Sequence, residues 1–378
     1  MTSETLLATA HDMNQGMLDR LETLVSYESP PGSSPHLHAC ADLLTGWFDR
    51  ALGRPGRRVV VDGVPHLLWA ADQQRVLMLG HYDTVWPAGT TQDRPFAVAG
   101  DLATGPGVCD MKAGIVQMLS ALSLLPDASH VGVLLTGDEE SGSVTSRELI
   151  ERQARRSGAV LVCEPATAEG HVKVARKGGS VYRLVAGGRA AHAGAEPHRG
   201  VNATVEVAHQ VLTLLGLGAP DIGGTSVTPT LLSGGTTTNT VPEQASVAID
   251  VRAWTGAELE RVDEAIRGLT PRLPEAALRV EGGINRYPME AALARPLLDL
   301  VRQVARDLGV PPPDGAHAAG ASDGNFTAAL GVPTIDGLGA VGGGSHARDE
   351  YVDLRRMPER TALLAGLAER LTGAALLR

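Results

Sequence analysis

Hydrophobic residues recur at helical spacing in the first part of the chain. Within residues 14–28, apolar side chains fall three and four positions apart, which predicts an amphipathic helix. Residues 29–35 contain three prolines and a glycine, which end that helix. A second helix with an apolar inward face is predicted over residues 36–51. We therefore expect two helices before the first strand.

The pattern then changes to short apolar runs bounded by turn residues, as in buried strands. The predicted strands are residues 59–61, 67–69, 76–79, 131–135 and 160–163, and the predicted helices are 114–125 and 146–156. Because strands alternate with helices, we expect an open α/β sheet with helices on both faces.

A different pattern, with alternating polar and apolar residues, begins near residue 177. Its predicted strands are 181–185, 226–232 and 245–252, with helices at 202–216 and 257–269. The earlier pattern resumes with a helix at 296–308, a strand at 332–335 and a helix at 357–376. A length of 378 residues also favours two domains. We assign residues 1–177 and 287–378 to one domain, and 178–286 to an inserted α+β sandwich.

The composition argues against several classes of partner and location. The formal charge of −10 and the lack of a basic cluster argue against a nucleic-acid partner. No apolar run of about 18 residues predicts a membrane span, and the N-terminus does not resemble a secretion signal. Cys40, Cys109 and Cys163 show no Cys-x-x-Cys spacing, so we expect reduced thiols and a cytoplasmic protein.

Polar residues stand where predicted strands end, which is where open α/β sheets build their sites. His81 and Asp83 follow the strand at 76–79, and residues two apart in extended chain face the same side. An imidazole beside a carboxylate suits a metal site, although a single His-x-Asp pair is weak evidence.

Two acidic segments extend this pattern. Asp110 follows a glycine-containing run and precedes a helix, so it is either a ligand or an ordinary N-cap. Asp138, Glu139 and Glu140 follow the strand at 131–135 directly. Adjacent carboxylates favour a bound cation, although a solvated acidic turn is the simpler alternative.

Two further candidates complete the set. Glu164 follows the strand at 160–163, and His346 follows three glycines. Singly, they could be a helix-entry acid and a surface histidine. Together with His81, Asp110 and Glu140 they predict a metal centre. Imidazole and carboxylate ligands without thiolate suit zinc in a hydrolytic site, with cobalt or manganese as substitutes.

The motifs that carry these residues are HYD, GPGVCDMKAG, TGDEESG, CEP and GGGSHARDEYV. In order and spacing they resemble the M20 family of metallopeptidases, and within it the glutamate carboxypeptidase group. The resemblance extends over nearly the whole chain. It implies a zinc-peptidase-like catalytic domain with an open mixed sheet, interrupted by a lid domain that also forms a homodimer.

The resemblance also implies roles for single residues. His81, Asp110 and Glu164 would hold one zinc ion, and Asp110, Glu140 and His346 would hold a second. Glu139 would act as general base and acid on a metal-activated water. Asp83 would orient the imidazole of His81.

The resemblance implies further candidates in the inserted domain. His192, in the segment 189–194, would stabilise the oxyanion across the dimer. Asn239 and Arg252 would contact substrate. Arg286, at the return to the first domain, would bind the carboxylate of the released amino acid, since a planar guanidinium suits a carboxylate.

The implied reaction is amide hydrolysis that releases a C-terminal, possibly acidic, amino acid from a peptide or N-acyl conjugate. Residues 166–174 depart from the glutamate-specific members, so that preference is left open. The alternatives are an N-acyl-amino-acid deacylase, a dipeptidase, or a non-catalytic relative that binds ligands in the cleft. Cys109 is interpreted as a small filler, and the roles of Ser322 and Asp323 are left open.

Overall fold

The structure, a computed structural model, describes residues 2–219 and 224–373. The chain forms two compact units. The large unit comprises Met1–Ala175, Met289–Ala318 and Ser322–Arg378, and the inserted unit comprises Arg176–Pro288 with Ala319–Ala321. The lid and dimerisation roles assigned to the inserted unit stay predictions.

The first part of the large unit changes from helices to alternating strands and helices. Its elements are α1 (Ser3–Asp12), α2 (Asn14–Ser26), α3 (Ser34–Leu52), β1 (Arg57–Val61), β2 (Val64–Trp69), β3 (Val76–His81), α4 (Thr90–Asp93), β4 (Ala97–Ala99), β5 (Leu102–Thr104), α5 (Ala113–Leu124), β6 (Val131–Thr136), α6 (Arg147–Ala154), β7 (Ala159–Val162) and β8 (Val172–Arg176).

The inserted unit and the end of the large unit follow in chain order. The inserted unit contains β9 (Gly178–Gly187), β10 (Ala191–His192), α7 (Ala203–Leu215), β11 (Ser226–Gly234), β12 (Thr240–Val241), β13 (Gln244–Ala253), α8 (Gly256–Arg267) and β14 (Ala277–Arg286). The large unit resumes with α9 (Ala291–Leu308), β15 (Gly315–Ala318), α10 (Gly324–Ala329), β16 (Thr334–Ile335), β17 (Gly342–Gly343), β18 (Tyr351–Asp353) and α11 (Met357–Gly373).

A six-stranded sheet in the order β1-β2-β6-β3-β7-β16 forms the centre of the large unit. Strands β6, β3, β7 and β16 are parallel, whereas β1 pairs antiparallel with β2 and β2 pairs antiparallel with β6. The predicted open mixed α/β sheet is therefore confirmed. Because parallel strands end at the same edge, the residues that follow β3, β6 and β7 come close together.

Helices cover both faces of this sheet. Successive residues of a strand point to opposite faces, so alternate residues join different cores. Val76 and Met78 of β3 join a core formed with α2, α3, α5, α9 and α11. Leu77 and Leu79 join a second core with α6 and Phe326. Each fully buried aliphatic side chain contributes about 1.5–3 kcal/mol by leaving water, so the two cores fix the strand ends firmly.

A smaller antiparallel sheet in the order β17-β18-β5-β4 also belongs to the large unit. Strand β5 leads into residues 105–112, which precede α5. The turn between β17 and β18 carries His346. This sheet therefore connects two of the ligand-bearing segments predicted from the sequence.

The inserted unit is an antiparallel sheet in the order β11-β13-β9-β14, with α7 and α8 packed against it. Both helices begin at polar caps. The side chain of Asn202 accepts hydrogen bonds from the N–H groups of Thr204 and Val205, and Thr255 does the same for Glu258. Such caps satisfy main-chain donors that the helix leaves unpaired.

Several element predictions were incomplete. Helix α1 precedes the helix predicted to open the chain, and it buries only Leu6 and Ala10, so its apolar pattern is weak. Strand β14 was not predicted, because two glycines and a bulge interrupt its alternation. Helix α9 begins before the predicted residue 296, with Pro296 inside it. The predicted end of the last helix, residues 374–376, lies outside the described residues.

Among the residues that the structure describes, no helix is long and apolar enough to cross a membrane.

Candidate metal centre and active site

Five segments of the large unit converge where the parallel strands end. His81 is the last residue of β3, Glu140 lies in the turn after β6, and Glu164 follows β7. Asp110 lies between β5 and α5, and His346 lies between β17 and β18. The structure thus brings together all five residues predicted to bind metal, in two groups that share Asp110.

The first group, His81, Asp110 and Glu164, is called the sealed group because its side chains are buried. Nε2 of His81 lies 3.2 Å from Oδ1 of Asp110 and 3.3 Å from Oε1 of Glu164. The side chains are 2%, 14% and 8% exposed, respectively. An imidazole and two carboxylates therefore face one another with little access to water.

The second group, Asp110, Glu140 and His346, is called the open group because His346 is 53% exposed. Nε2 of His346 lies 3.1 Å from Oε2 of Glu140 and 3.6 Å from Oδ2 of Asp110. Since Oδ1 of Asp110 faces His81 and Oδ2 faces His346, the two oxygens of one carboxylate serve different groups.

These donor sets fit zinc. Zinc binds nitrogen and oxygen ligands at about 2.0–2.2 Å, which places the ligands of a tetrahedral ion roughly 3.4 Å apart. The distances of 3.1 to 3.6 Å between the candidate ligand atoms agree with that spacing. Cys109 and Cys163 neighbour ligands in sequence but lie in the core, where burial raises the pKa of both thiols. The filler interpretation of Cys109 is consistent with this position.

The charges at the centre favour a cation. Burial lowers the pKa of His81, but hydrogen bonds to Asp110, Asp83 and Glu164 outweigh it and raise that pKa well above its ordinary value. The hydrogen bond to Glu140 raises the pKa of His346 to about 9. Burial raises the pKa of Glu140 itself. The carboxylates therefore stabilise positive charge here, which divalent ions would supply.

Asp83 is completely buried and holds the acidic turn. Its Oδ1 accepts the main-chain N–H of Glu139 at 3.2 Å, and its Oδ2 accepts that of Glu140 at 2.9 Å. The shorter contact to Nδ1 of His81 comes from the main-chain oxygen of Asp83, at 3.0 Å, whereas its carboxylate is 3.5 Å away. The carboxylate thus contacts the Glu139–Glu140 turn more closely than the imidazole it was predicted to orient.

Comparison with known proteins identifies the family. The family model for peptidase family M20/M25/M40 matches residues 77–370. Carboxypeptidase G2 from Pseudomonas sp. (strain RS-16) is 30% identical over 96% of this chain and 91% of its own length. The chain belongs to peptidase family M20/M25/M40. As a member of this metal-dependent family it is a hydrolase of the carboxypeptidase or amidohydrolase type, and the family resemblance seen in its motifs is confirmed.

Further relatives have names that state other activities. Succinyl-diaminopimelate desuccinylase 2 from Shewanella loihica is 28% identical over 78% of this chain and 85% of its own length. Two solved structures share the fold, each covering 95% of this chain and 99% of its own. They are an M20 family metallo-carboxypeptidase from Sulfolobus solfataricus (TM-score 0.72, 16% identity) and the aminopeptidase PepT from Bacillus cereus (TM-score 0.72, 20% identity).

His192 and Asn239 of the inserted unit lie near each other. His192 pairs with Thr240 across β10 and β12, and the main-chain oxygen of Asn239 accepts the N–H of Ala193 at 2.9 Å. Nδ1 of the exposed His192 accepts hydrogen bonds from the N–H groups of residues 194 and 195 at 3.2 and 3.0 Å. Nδ1 is therefore an acceptor, and Nε2 carries a proton that it can donate.

Arg252 and Arg286 lie at one level of the inserted sheet, on the two strands that flank β9. Both pair with Gly179 of β9, one from β13 and the other from β14. Arg252 makes a two-pronged ion pair with Asp250 on its own strand, with distances of 2.9 and 2.8 Å. Arg286 is 7% exposed. The strand register therefore places both arginines opposite a residue that has no side chain.

Sequence reasoning missed several buried polar residues that hold the ligand-bearing segments. Nδ1 of His66 accepts the N–H of Gly137, and Asp323, whose role was left open, accepts the hydroxyl of Thr136 at 3.0 Å. Glu350 accepts N–H groups from the segment that carries Asp110. A polar residue within or beside an apolar strand indicates a buried polar contact. The sequence does not show which residue that polar side chain contacts.

Proposed function

We propose that this protein is a two-metal amidohydrolase that releases a C-terminal amino acid from a small peptide or an N-acyl conjugate. The observation that carries the proposal is the pair of ligand groups joined by Asp110 at the edge of the sheet. The donor set favours zinc, with cobalt or manganese as substitutes. Glu139, next to the ligand Glu140, provides a carboxylate for proton transfer.

Ions held by the sealed and open groups would activate a water molecule and polarise the scissile carbonyl. The role of the chain is to fix those groups and to move protons. Asp83 accepts hydrogen bonds from the main chain of Glu139 and Glu140 and so holds this turn in place. The carboxylate of Glu140 can then remain in the open group while that of Glu139 is available for proton transfer. Glu139 takes a proton from the water and delivers it to the leaving amine.

The inserted unit would act on the substrate. The hydrogen bonds to Nδ1 of His192 leave its Nε2–H free to donate to a developing oxyanion, which is the role we propose for it. Asn239, exposed beside β12, would contact the substrate. Arg252 and Arg286, paired around Gly179, would bind the free carboxylate of the released amino acid.

A second candidate function is N-acyl-amino-acid deacylation, which the desuccinylase named among the relatives favours. Both reactions hydrolyse an amide bond through the same ligand groups. They differ in which side of that bond carries the recognised group.

We also propose that the protein is a homodimer formed through the inserted unit. Strand β11 is at the edge of its sheet, and Leu231 and Leu232 on it are 74% and 59% exposed. Leu212 and Leu215 of α7 are 70% and 57% exposed. Apolar side chains on an edge strand favour pairing with a second copy. The buried free cysteines fit a reducing, cytoplasmic environment.

Amine release from a substrate panel tests the proposed reaction. The panel contains peptides and N-acyl conjugates ending in glutamate or aspartate, N-acyl derivatives of other amino acids, and free dipeptides. We expect release from one class, loss of activity with a chelator, and recovery with added zinc. Retention of full activity after the ions have been stripped and counted would contradict the metal mechanism. Release from N-acyl amino acids alone would select the deacylase.

A further inference from the structure

Glu350 is a buried carboxylate near the centre that accepts hydrogen bonds from four N–H groups, although it belongs to neither ligand group. Glu350 is 1% exposed. Oε1 accepts the main-chain N–H groups of Cys109 at 2.9 Å and Asp110 at 3.0 Å. Oε2 accepts the N–H of Gly107 at 2.9 Å and the indole N–H of Trp86 at 3.2 Å. Each oxygen therefore accepts two donors.

This arrangement requires both carboxylate oxygens of Glu350 to accept hydrogen bonds. Burial raises the pKa of Glu350, and the hydrogen bonds from main-chain N–H groups offset only part of that rise. Because all four contacts come from N–H donors, the ionised carboxylate fits the arrangement, and such charge-assisted bonds are stronger than neutral ones. Its oxygens face the loop main chain, so Glu350 is unsuited to binding metal.

The loop that Glu350 holds is built for close approach. Gly107 has a φ of 69°, and a side chain there would bring Cβ to 2.4 Å from Cγ2 of Thr84. Glycine at this position lets the N–H groups of Gly107, Cys109 and Asp110 turn toward one carboxylate. Successive N–H groups pointing inward form an anion-binding concavity.

Glu350 also belongs to the hairpin that carries His346. It immediately precedes β18, which pairs with β5 through Tyr351 and Thr104. The hairpin folds back tightly, since a Cβ on Gly344 would lie 2.9 Å from Cα of Glu350. The side chain of Glu350 therefore joins the His346 hairpin to the Asp110 loop, on adjoining strands of the small sheet.

We propose that Glu350 is a positioning residue that fixes Asp110, the shared ligand, relative to His346. This inference rests on the proposed function, because it concerns the geometry of the ligand groups. The open group depends on Glu350 most, since both segments that Glu350 joins supply its ligands, whereas His81 ends a strand of the large sheet and Glu164 follows one.

Glu350→Gln is the direct test. An amide offers one acceptor oxygen and turns an NH₂ group toward main-chain N–H donors, so at least one side of the contact is lost. Outer-shell partners of metal ligands typically contribute about 10- to 100-fold in metal affinity. We expect a loss of that size at the open group and a changed visible absorption spectrum of the cobalt-loaded protein.

Glu206→Gln is the matched control. Glu206 is fully buried in the inserted unit and accepts the main-chain N–H groups of Arg272 and Leu273. Its substitution removes a similar contact from a place that holds no ligand. We expect a lower melting temperature, but wild-type metal content and a wild-type cobalt spectrum.

Metal titration and the cobalt spectrum of the full-length variants decide the proposal. Wild-type affinity and spectrum in Glu350→Gln would overturn it, whereas failure of the unsubstituted protein to bind metal would instead overturn the proposed function. If Glu350→Gln does not fold, Glu350→Asp keeps the carboxylate but shortens the side chain by one methylene, which draws both oxygens away from the N–H groups of Cys109 and Asp110. A shifted cobalt spectrum in that variant supports the proposal, and an unchanged spectrum overturns it.

Discussion

The sealed and open groups use similar ligands in different surroundings. In the sealed group, the side chains of His81 and Glu164 are 2% and 8% exposed. In the open group, Glu140 is 5% exposed but His346 is 53% exposed. Solvent and substrate can therefore reach the second group past His346, whereas the first lies behind the ends of buried strands.

The two histidines are also held differently. His81 ends a central strand, and its Nδ1 contacts the main-chain oxygen of Asp83 at 3.0 Å. His346 stands on a glycine hairpin with a φ of 65°. Within residues 2–219 and 224–373, Nδ1 of His346 makes no hydrogen bond. A ligand fixed from behind favours slow ion exchange, so we expect the sealed ion to be retained and the open ion to exchange.

Replacing each histidine should produce the largest effect. We expect His346→Ala to lose the open ion and keep the sealed one. We expect His81→Ala to lose the sealed ion and also to weaken the open one, because Asp110 serves both groups. Turnover should fall to background in both variants. Ions counted per chain after gel filtration, by mass spectrometry of the metal, check this ranking.

The opposite order of ion loss in the two histidine variants would contradict the proposed difference between the sealed and open groups. If His346→Ala loses both ions while His81→Ala keeps one, the exposed histidine controls the centre. Thermal melting of each variant with metal removed provides the control, since similar melting temperatures would show that the difference lies in metal binding.

The sequence predicted the main sheet and brought out the candidate ligands for the same reason. Apolar runs mark buried strands, and a polar residue directly after such a run must lie at the sheet edge. His81 ends a parallel strand, and Glu140 and Glu164 follow parallel strands. Asp110 and His346 follow glycine-containing segments, and the family resemblance supplied their places in the two groups.

The features that could not be predicted from the sequence are contacts made with main-chain groups. Glu350 lies in a motif already singled out, but its contacts are N–H groups some 240 residues earlier in the chain. Any residue except proline offers that donor, so no pattern of side chains indicates it. Strand β14 was missed for a related reason: Gly282 and Gly283 contribute main-chain pairing without apolar alternation.

Glu139→Gln should produce the next largest effect, and it separates proton transfer from metal binding. General acid–base catalysis contributes about 10²- to 10⁴-fold, so kcat should fall by that amount while both ions remain. The neighbouring Glu140→Gln is the matched contrast, because it removes a ligand and should release the open ion. Rapid turnover by Glu139→Gln with both ions bound would contradict its role as the proton carrier.

The smallest effect should follow from Asp83→Asn, and it decides which group Asp83 serves. Both carboxylate oxygens accept main-chain N–H groups, from Glu139 and Glu140, and asparagine can accept only one of them. We expect about a 10- to 100-fold loss of activity, with the open ion weakened and the sealed ion retained. Metal titration of the variant measures both affinities.

Asp323→Asn is the matched control for this change. Asp323 also contacts the segment around the acidic turn, but its partners include the hydroxyls of Thr136 and Ser143. A hydroxyl can rotate to accept from an amide, whereas a main-chain N–H can only donate, so the effect should be smaller. If Asp83→Asn weakened the sealed ion instead, its carboxylate would act mainly on His81, as the family resemblance implies, and the sealed group would depend on the same support as the open one.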